Sequence, residues 1–316
     1  MKKKVVVLGG GTGMSSLLKG LKEYPVDITA VVSVCDDGRS TGRLREEFHV
    51  PAMGDLRQVL ISLCESGPVV EKLLNYRFQT TSDLNGHPVG NLILTAMSNM
   101  TGNMSQGVED LCKIFNLKGK LIPLTDDEVT LCGKMEDGSV VEGEHNITEY
   151  DSKVLEVYYK SKPKVNKEVI AAIKEADLVL LSMGSIYTSI IPNLLCPEII
   201  KTLDSTDVPI MYACNIMTQP GETDDLTVSE HIAIINKYLG KRKVDVVVAN
   251  DGKIDEKLRE KYETLEEKDP VILDKDKLKN IKVISNNYVT IENEYLRHDA
   301  ILLSLDIFKY LITKKK

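Results

Sequence analysis

The chain has 316 residues, 42 % of them hydrophobic and 28 % charged, an ordinary globular composition that excludes a disordered or collagen-like chain. Forty lysines and arginines against 47 acids leave a formal charge of −7, which argues against broad affinity for nucleic acid or an anionic membrane and leaves room for a local basic pocket. Met1 to Lys4 carries the charge of a signal peptide, but only Val5 to Leu8 follow before Gly9, and no run reaches the roughly 18 apolar residues of a membrane span, so the cytoplasm is the expected location.

Lys4 to Leu8 reads as a strand buried on both faces, ending in Gly9-Gly10-Gly11-Thr12-Gly13. Met14, Leu17, Leu18 and Leu21 then form one helical stripe, and Ile28 to Cys35 a second strand, which together make a β-α-β opening. Residues 55–66 and 90–101 read as consecutive helices beside the site, from Leu56, Val59, Leu60 and Leu63 and then Leu92, Ile93 and Ala96. Between about residues 120 and 160, short alternating segments around Asp137-Gly138 predict a β-hairpin insertion. Leu178 to Ser182, Val208 to Ala213 and Val244 to Ala249 are further strands, each followed by a helical stretch. Residues 253–268 read as a solvated helix face, Arg297-His298-Asp299 as the opening of an amphipathic helix through Leu311, and Lys314 to Lys316 as a frayed tail. The expected fold is α/β, a Rossmann-like doubly wound, mainly parallel sheet in a single domain over 1–316. The scattered cysteines, Cys35, Cys64, Cys112, Cys132, Cys196 and Cys214, form no C-x-x-C pair and read as reduced core residues.

Chemistry is expected where strands end. The glycine turn joins a strand to a helix, so its N–H groups and the positive helix end suit phosphate, although a tight turn with no ligand explains it too. It is neither a full dinucleotide fingerprint nor a P-loop. Asp36 and Asp37 suit Mg²⁺ or a hydroxyl, and Arg39 and Arg43 suit phosphate oxygens, against the alternative of a surface loop with internal ion pairs. Asp55 reads as a helix cap rather than a catalytic group, and Arg57 as either a solvated charge or an arm to phosphate. Asn91 offers a donor and an acceptor to a ribose, base or phosphate, while the lone His87 reads as structural. Ser185, Asn215 and Asn250 follow later strands and can converge on the same crevice, or serve as turn residues. Tyr262 is either a half-buried packing residue or a stacking platform. No serine elbow, H-E-x-x-H helix or zinc spacing occurs.

In the order GGGTG, DDGRSTGRLR, GDLR, GHPVGN, NIMTQPGET and RHD, the chain resembles the CofD/YvcK-like family, and within it the YvcK branch of bacterial gluconeogenesis factors, over nearly its full length. The resemblance implies a Rossmann-like fold with one extended ligand crevice. Its CofD branch implies a Mg-dependent 2-phospho-L-lactate transferase type acting on a nucleotide-diphosphate-linked donor, with Asp36 and Asp37 as metal or acceptor-hydroxyl groups. The Arg39 to Arg45 loop is richer in arginine and glycine than the transferases' more apolar segment. The YvcK branch implies a cytoplasmic regulator that binds a uridine nucleotide sugar such as UDP-GlcNAc and links carbon supply to cell-wall precursor synthesis and cell shape. On that resemblance the glycine turn (Gly10, Gly11, Thr12, Gly13) and Asn215 belong to the nucleotide crevice, and Tyr262 and Arg297 contact the nucleotide sugar. The regulator reading needs no cofactor, and the transferase reading would use Mg²⁺. A cell-wall-precursor enzyme as partner and a homodimer are further expectations, the dimer because two-fold closure is the commonest association.

Overall fold

A computed structural model describes residues 2–65, 67–292 and 295–313, and the tail Lys314 to Lys316 lies outside them. The chain opens with β1 (Lys3–Gly9), α1 (Gly11–Leu21) and β2 (Val26–Val32). Five helices follow, α2 (Arg39–Phe48), α3 (Gly54–Leu63), α4 (Pro68–Asn75), α5 (Val89–Thr101) and α6 (Met104–Ile114), before β3 (Lys120–Pro123). Next come β4 (Leu131–Met135), β5 (Val140–Glu142), α7 (Glu144–Glu149), β6 (Val154–Tyr159), α8 (Lys167–Glu175) and β7 (Leu178–Leu181). A π-helical turn at Ile186–Ile190 runs into α9 (Ile191–Leu194), followed by α10 (Pro197–Asp204), β8 (Ile210–Ala213), α11 (Val228–Tyr238) and β9 (Val246–Asn250). The chain ends with α12 (Glu256–Glu266), β10 (Lys282–Asn286), β11 (Val289–Glu292), β12 (Tyr295–His298) and α13 (Ala300–Thr313).

Seven strands form one sheet in the order β3-β2-β1-β7-β8-β9-β10, and every neighbouring pair is parallel. The order reverses between β1 and β7, the switch point outside which a doubly wound sheet opens its ligand crevice. Val5, Val7, Leu8 and Leu178 to Leu181 are wholly buried, as expected of strands covered by helices on both faces. β4, β5 and β6 form a separate antiparallel sheet, in the order β5-β4-β6, and β11 pairs with β12.

The fold class agrees with the expectation, and the differences are local. The apolar run to Cys35 is buried to its end, but the last β2 pairs are Val32 with Gly9 and with Pro123, so burial outlasts pairing by three residues. Lys120–Pro123 is the edge strand of the main sheet, and the hairpin expected over 120–160 is three strands with α7 between the second and third. The arginine-rich loop becomes α2 at Arg39, with Gly38 as its N-cap. Arg297 and His298 lie on β12, opposite Thr290 and Val289, while Asp299 caps α13 by accepting the Leu302 N–H at 2.9 Å. Five of the cysteines are buried, Cys112 is half-buried, and all six are free thiols.

Helix α1 packs its Met14, Leu17, Leu18 and Leu21 face into the core and touches α13 through Gly20, where a Cβ would overlap the carbonyl of Ala300. Gly20→Ala should therefore lower stability by about 2–4 kcal/mol in urea unfolding, whereas Gly67→Ala, in open space, should change it by less than about 1 kcal/mol.

Candidate functional site

A cleft of about 520 Å³ opens outside the carboxyl ends of β1, β7 and β8. One wall is the N-terminus of α1, Gly10 to Gly13, whose first-turn N–H groups lack intrahelical acceptors and carry the positive end of the helix dipole. Glycine is required at 13, because any Cβ would overlap the Met183 carbonyl after β7. That contact brings the start of α1 against the Met183–Ser185 turn.

Opposite lies the segment Asn215 to Glu222, which follows β8. Asn215 donates from Nδ2 to the Gly184 carbonyl at 3.0 Å, tying the β8 turn to the β7 turn. Glu222 is buried, and its Oε2 accepts from Ser185 Oγ and from the Tyr187 N–H at 3.2 Å. Burial raises its proton affinity, and Oε1 has no partner. Ser185 also accepts from the Thr188 N–H at 3.0 Å and from Thr188 Oγ1 at 2.7 Å, so this hydroxyl orders the turn.

The far rim is built by α12 and β12. Tyr262 is buried against the cleft, its phenol oxygen accepting the Leu296 N–H at 2.8 Å. The Arg297 guanidinium lies over the Tyr295 ring at 5.3 Å and donates to the Leu296 carbonyl at 2.9 Å. His298 Nε2 lies 3.1 Å from the Cys214 carbonyl, which assigns the proton to Nε2, and burial lowers its pKa to about 4. The imidazole is neutral at pH 7, with Nδ1 left as an acceptor.

At the opposite end, near β2, carboxyl groups gather. Asp55, in the first turn of α3, stands so close to Gly10 that a Cβ there would overlap its Oδ2. Desolvation and the neighbouring Asp36 charge push Asp55 up to about 7, against the opposing pull of the Gly11 N–H and Arg57. Glu144, brought over the cleft by α7, is raised to about 8 by desolvation and then by Asp36 and Asp55. Asp36 is raised too, by burial, although it accepts from the Gly38 N–H at 2.9 Å and Thr41 Oγ1 at 3.0 Å.

Of the residues singled out from sequence, the cleft brings together Gly10, Gly11, Thr12, Gly13, Ser185, Asn215, Tyr262 and Arg297. Asp37 faces a different depression and accepts the His145 N–H at 2.9 Å, capping the start of α7. Arg43 donates to the Asn85 carbonyl at 2.7 Å. Arg57 is buried and donates to Asn91 Oδ1 at 3.0 Å and to Asn75, while Asn91 Nδ2 donates to Ser40 Oγ at 3.3 Å. These groups tie α2, α3, α4 and α5 together and none lines the cleft. Asn250 spends its amide on Gly252 and on the Tyr288 N–H, outside the cleft. The backbone of Arg39 opens α2, and its side chain lies outside the described residues.

Asp36 and Asp37, the pair considered for Mg²⁺, are committed to different partners, and among the described residues no three His, Cys, Asp or Glu side chains are placed to hold a metal ion. As they stand these residues do not fit the ion. Asp55, read as a cap, faces the glycine turn, where its carboxyl takes the Gly11 N–H at the start of α1. Glu144, Thr148, Glu222, Lys268 and His298 also line the cleft. Glu222 and His298 sit inside the quoted NIMTQPGET and RHD motifs, whereas nothing local marked Glu144, whose position depends on how the insertion folds back.

Among the described residues no helix is long and apolar enough to cross a membrane. Residues 5–289 match the family described as 2-phospho-L-lactate transferase CofD. The chain is 43 % identical over 302 residues to a protein named gluconeogenesis factor from Bacillus subtilis, covering 95 % of each chain. It is 42 % identical to one of the same name from Halalkalibacterium halodurans, covering 95 % of this chain and 94 % of that one. A crystal structure of a UPF0052 family protein from Bacillus halodurans superimposes with a TM-score of 0.93 at 41 % identity, over 97 % of this chain and 99 % of that one.

The raised proton affinity of Glu144 has a testable sign. A carboxyl raised from 4.5 to about 8 contributes stability that is complete below pH 4.5 and is lost as pH rises through 8. Glu144→Gln, which cannot ionise, should match the parent chain at about pH 4 and exceed its Tm by on the order of 2 °C at about pH 9, read by thermal unfolding.

Proposed function

The chain belongs to the CofD family, among the gluconeogenesis factors, and on that premise we propose that it is a regulator that binds a uridine nucleotide sugar and relays carbon supply to cell-wall precursor synthesis and cell shape. UDP-GlcNAc is the first candidate ligand. One observation carries this reading: the positive N-terminal end of α1, whose first-turn N–H groups have no intrahelical acceptor, shares one cleft with Tyr262 and Arg297, three elements suited to an anionic, partly apolar ligand.

The order of groups along the cleft favours one orientation. A carboxylate following the second strand of a doubly wound sheet accepts ribose hydroxyls, so the ribose lies toward Asp36 and Asp55. The diphosphate then lies at the α1 N-terminus, and the sugar extends under Tyr262 with Arg297 reaching back to a phosphate oxygen. We place the protein in the cytoplasm, working through a cell-wall-precursor enzyme as partner, and as a two-fold dimer.

A second reading, a transferase acting at a nucleotide-diphosphate bond, is favoured by the raised proton affinities of Asp55 and Glu144, since perturbed carboxyls concentrate where protons are moved. Consumption of a nucleotide diphosphate in the presence of an acceptor would support it over the regulator.

A thermal-shift panel of UDP-GlcNAc, UDP-glucose, guanosine diphosphate, NAD and inorganic phosphate tests the regulator. Selective stabilisation by the uridine sugars is expected, about 2.7 kcal/mol at 100 times the dissociation constant, and absence of saturable binding by any of them sinks the proposal. Arg297→Ala, on an exposed rim, should weaken UDP-GlcNAc roughly 10- to 100-fold by calorimetric titration while leaving Tm unchanged in the absence of ligand.

A further inference from the structure

Beyond the Tyr262 end of the cleft, outside the carboxyl end of β9, lies a second cavity of about 400 Å³. It shares Ile216 with the cleft, and the same helix flanks both, because Arg259, Tyr262 and Glu266 recur on one face of α12. Its apolar wall includes Ile216, Ile254, Val271 and Leu273. Three cations reach it. Lys275 is paired with Asp251 at 3.4 Å and donates to Ser285 Oγ at 3.0 Å. The Lys253 and Arg259 side chains have no hydrogen-bond or ion-pair partner among the described residues. Asp255, the N-cap of α12, is occupied in accepting the Lys257 and Leu258 N–H groups.

Two uncompensated cations over an apolar wall suit a ligand group that is anionic at its tip and carbon-rich behind it. Uracil is neutral, so an anion arriving at this end of a uridine nucleotide sugar must be carried by the sugar.

We propose that this cavity is an acidic-substituent subsite, in which Lys253 and Arg259 receive a carboxylate borne by the sugar of the nucleotide sugar. The proposal rests on the reading of the cleft given above and adds a preference within that ligand class. It makes the two cavities one continuous crevice across the ends of β1, β7, β8 and β9, with the diphosphate at the centre and the acidic sugar tip farthest from the Asp36 and Asp55 carboxyls.

UDP-glucose and UDP-glucuronate differ only at C6, hydroxymethyl against carboxylate, and their affinities for the full chain can be compared by calorimetric titration. UDP-glucuronate is expected to bind about 10-fold more tightly, an advantage that shrinks at high salt. In the Lys253→Ala/Arg259→Ala double variant, whose two side chains are exposed, the advantage should vanish while UDP-glucose keeps its affinity. Equal affinities in the parent chain, or a double variant that weakens both ligands alike, would overturn the subsite and leave the cleft reading standing. If neither sugar nucleotide binds, the cleft reading fails, and the subsite with it.

Discussion

The site depends on a close approach of bare backbone. Gly13, one turn into α1, lies where any side chain would run into the carbonyl of Met183, and this contact lets the helix start directly against the end of β7. Everything else in the cleft is referred to that junction. The Gly184 carbonyl accepts from Asn215, which holds the β8 turn, and Ser185 and the Tyr187 N–H donate to Glu222, which folds the following segment back over the cleft. The sheet supplies position and the helix start supplies field, a setting suited to an anion.

Charge is graded along the cleft. Beside the β2 end, desolvation raises the proton affinities of Asp36, Asp55 and Glu144, with Asp36 adding to the rise at Asp55 and both adding to it at Glu144, while Arg57, held by the neutral acceptors Asn91 and Asn75, stands behind them as a background positive charge. The middle is polar, with His298 uncharged at pH 7 and Arg297 and Lys268 on its lining. The neighbouring cavity outside β9 carries Lys253, Arg259 and Lys275.

Much of the architecture was legible because buried parallel strands leave continuous apolar runs and glycine clusters mark their ends. Those signals located β1, β7, β8 and β9 within a few residues and placed Gly10 to Gly13, Ser185 and Asn215 at one crevice. They failed where tertiary pairing decides. Val34 and Cys35 are as apolar and buried as any strand residue but have no partner strand, and α2 grows from a segment rich in arginine and glycine, with Gly38 at its N-cap. Among site residues, Arg57 and Asn91 show the limit most plainly. An arginine and an asparagine near helix starts look alike whether they face a ligand or each other, and here they bond each other. Glu144 reached the cleft through α7, whose start is capped by Asp37, a contact spanning 108 residues that no local pattern records.

The sheet order also bears on how the chain comes to be folded. β1 is the first strand synthesised, yet its second neighbour is β7, and Lys3 meets Asp177 across a separation of 174 residues. During synthesis β1, β2 and β3 can pair while one long edge of β1 stays open, with Val5 to Leu8 exposed until more than half of the chain has emerged. High contact order at the centre of the sheet makes the closing of that edge the slow, aggregation-exposed step. A nascent chain stalled before residue 178 therefore presents a template strand to its neighbours, and its survival depends on how quickly the ribosome delivers the second half or a chaperone shields the first.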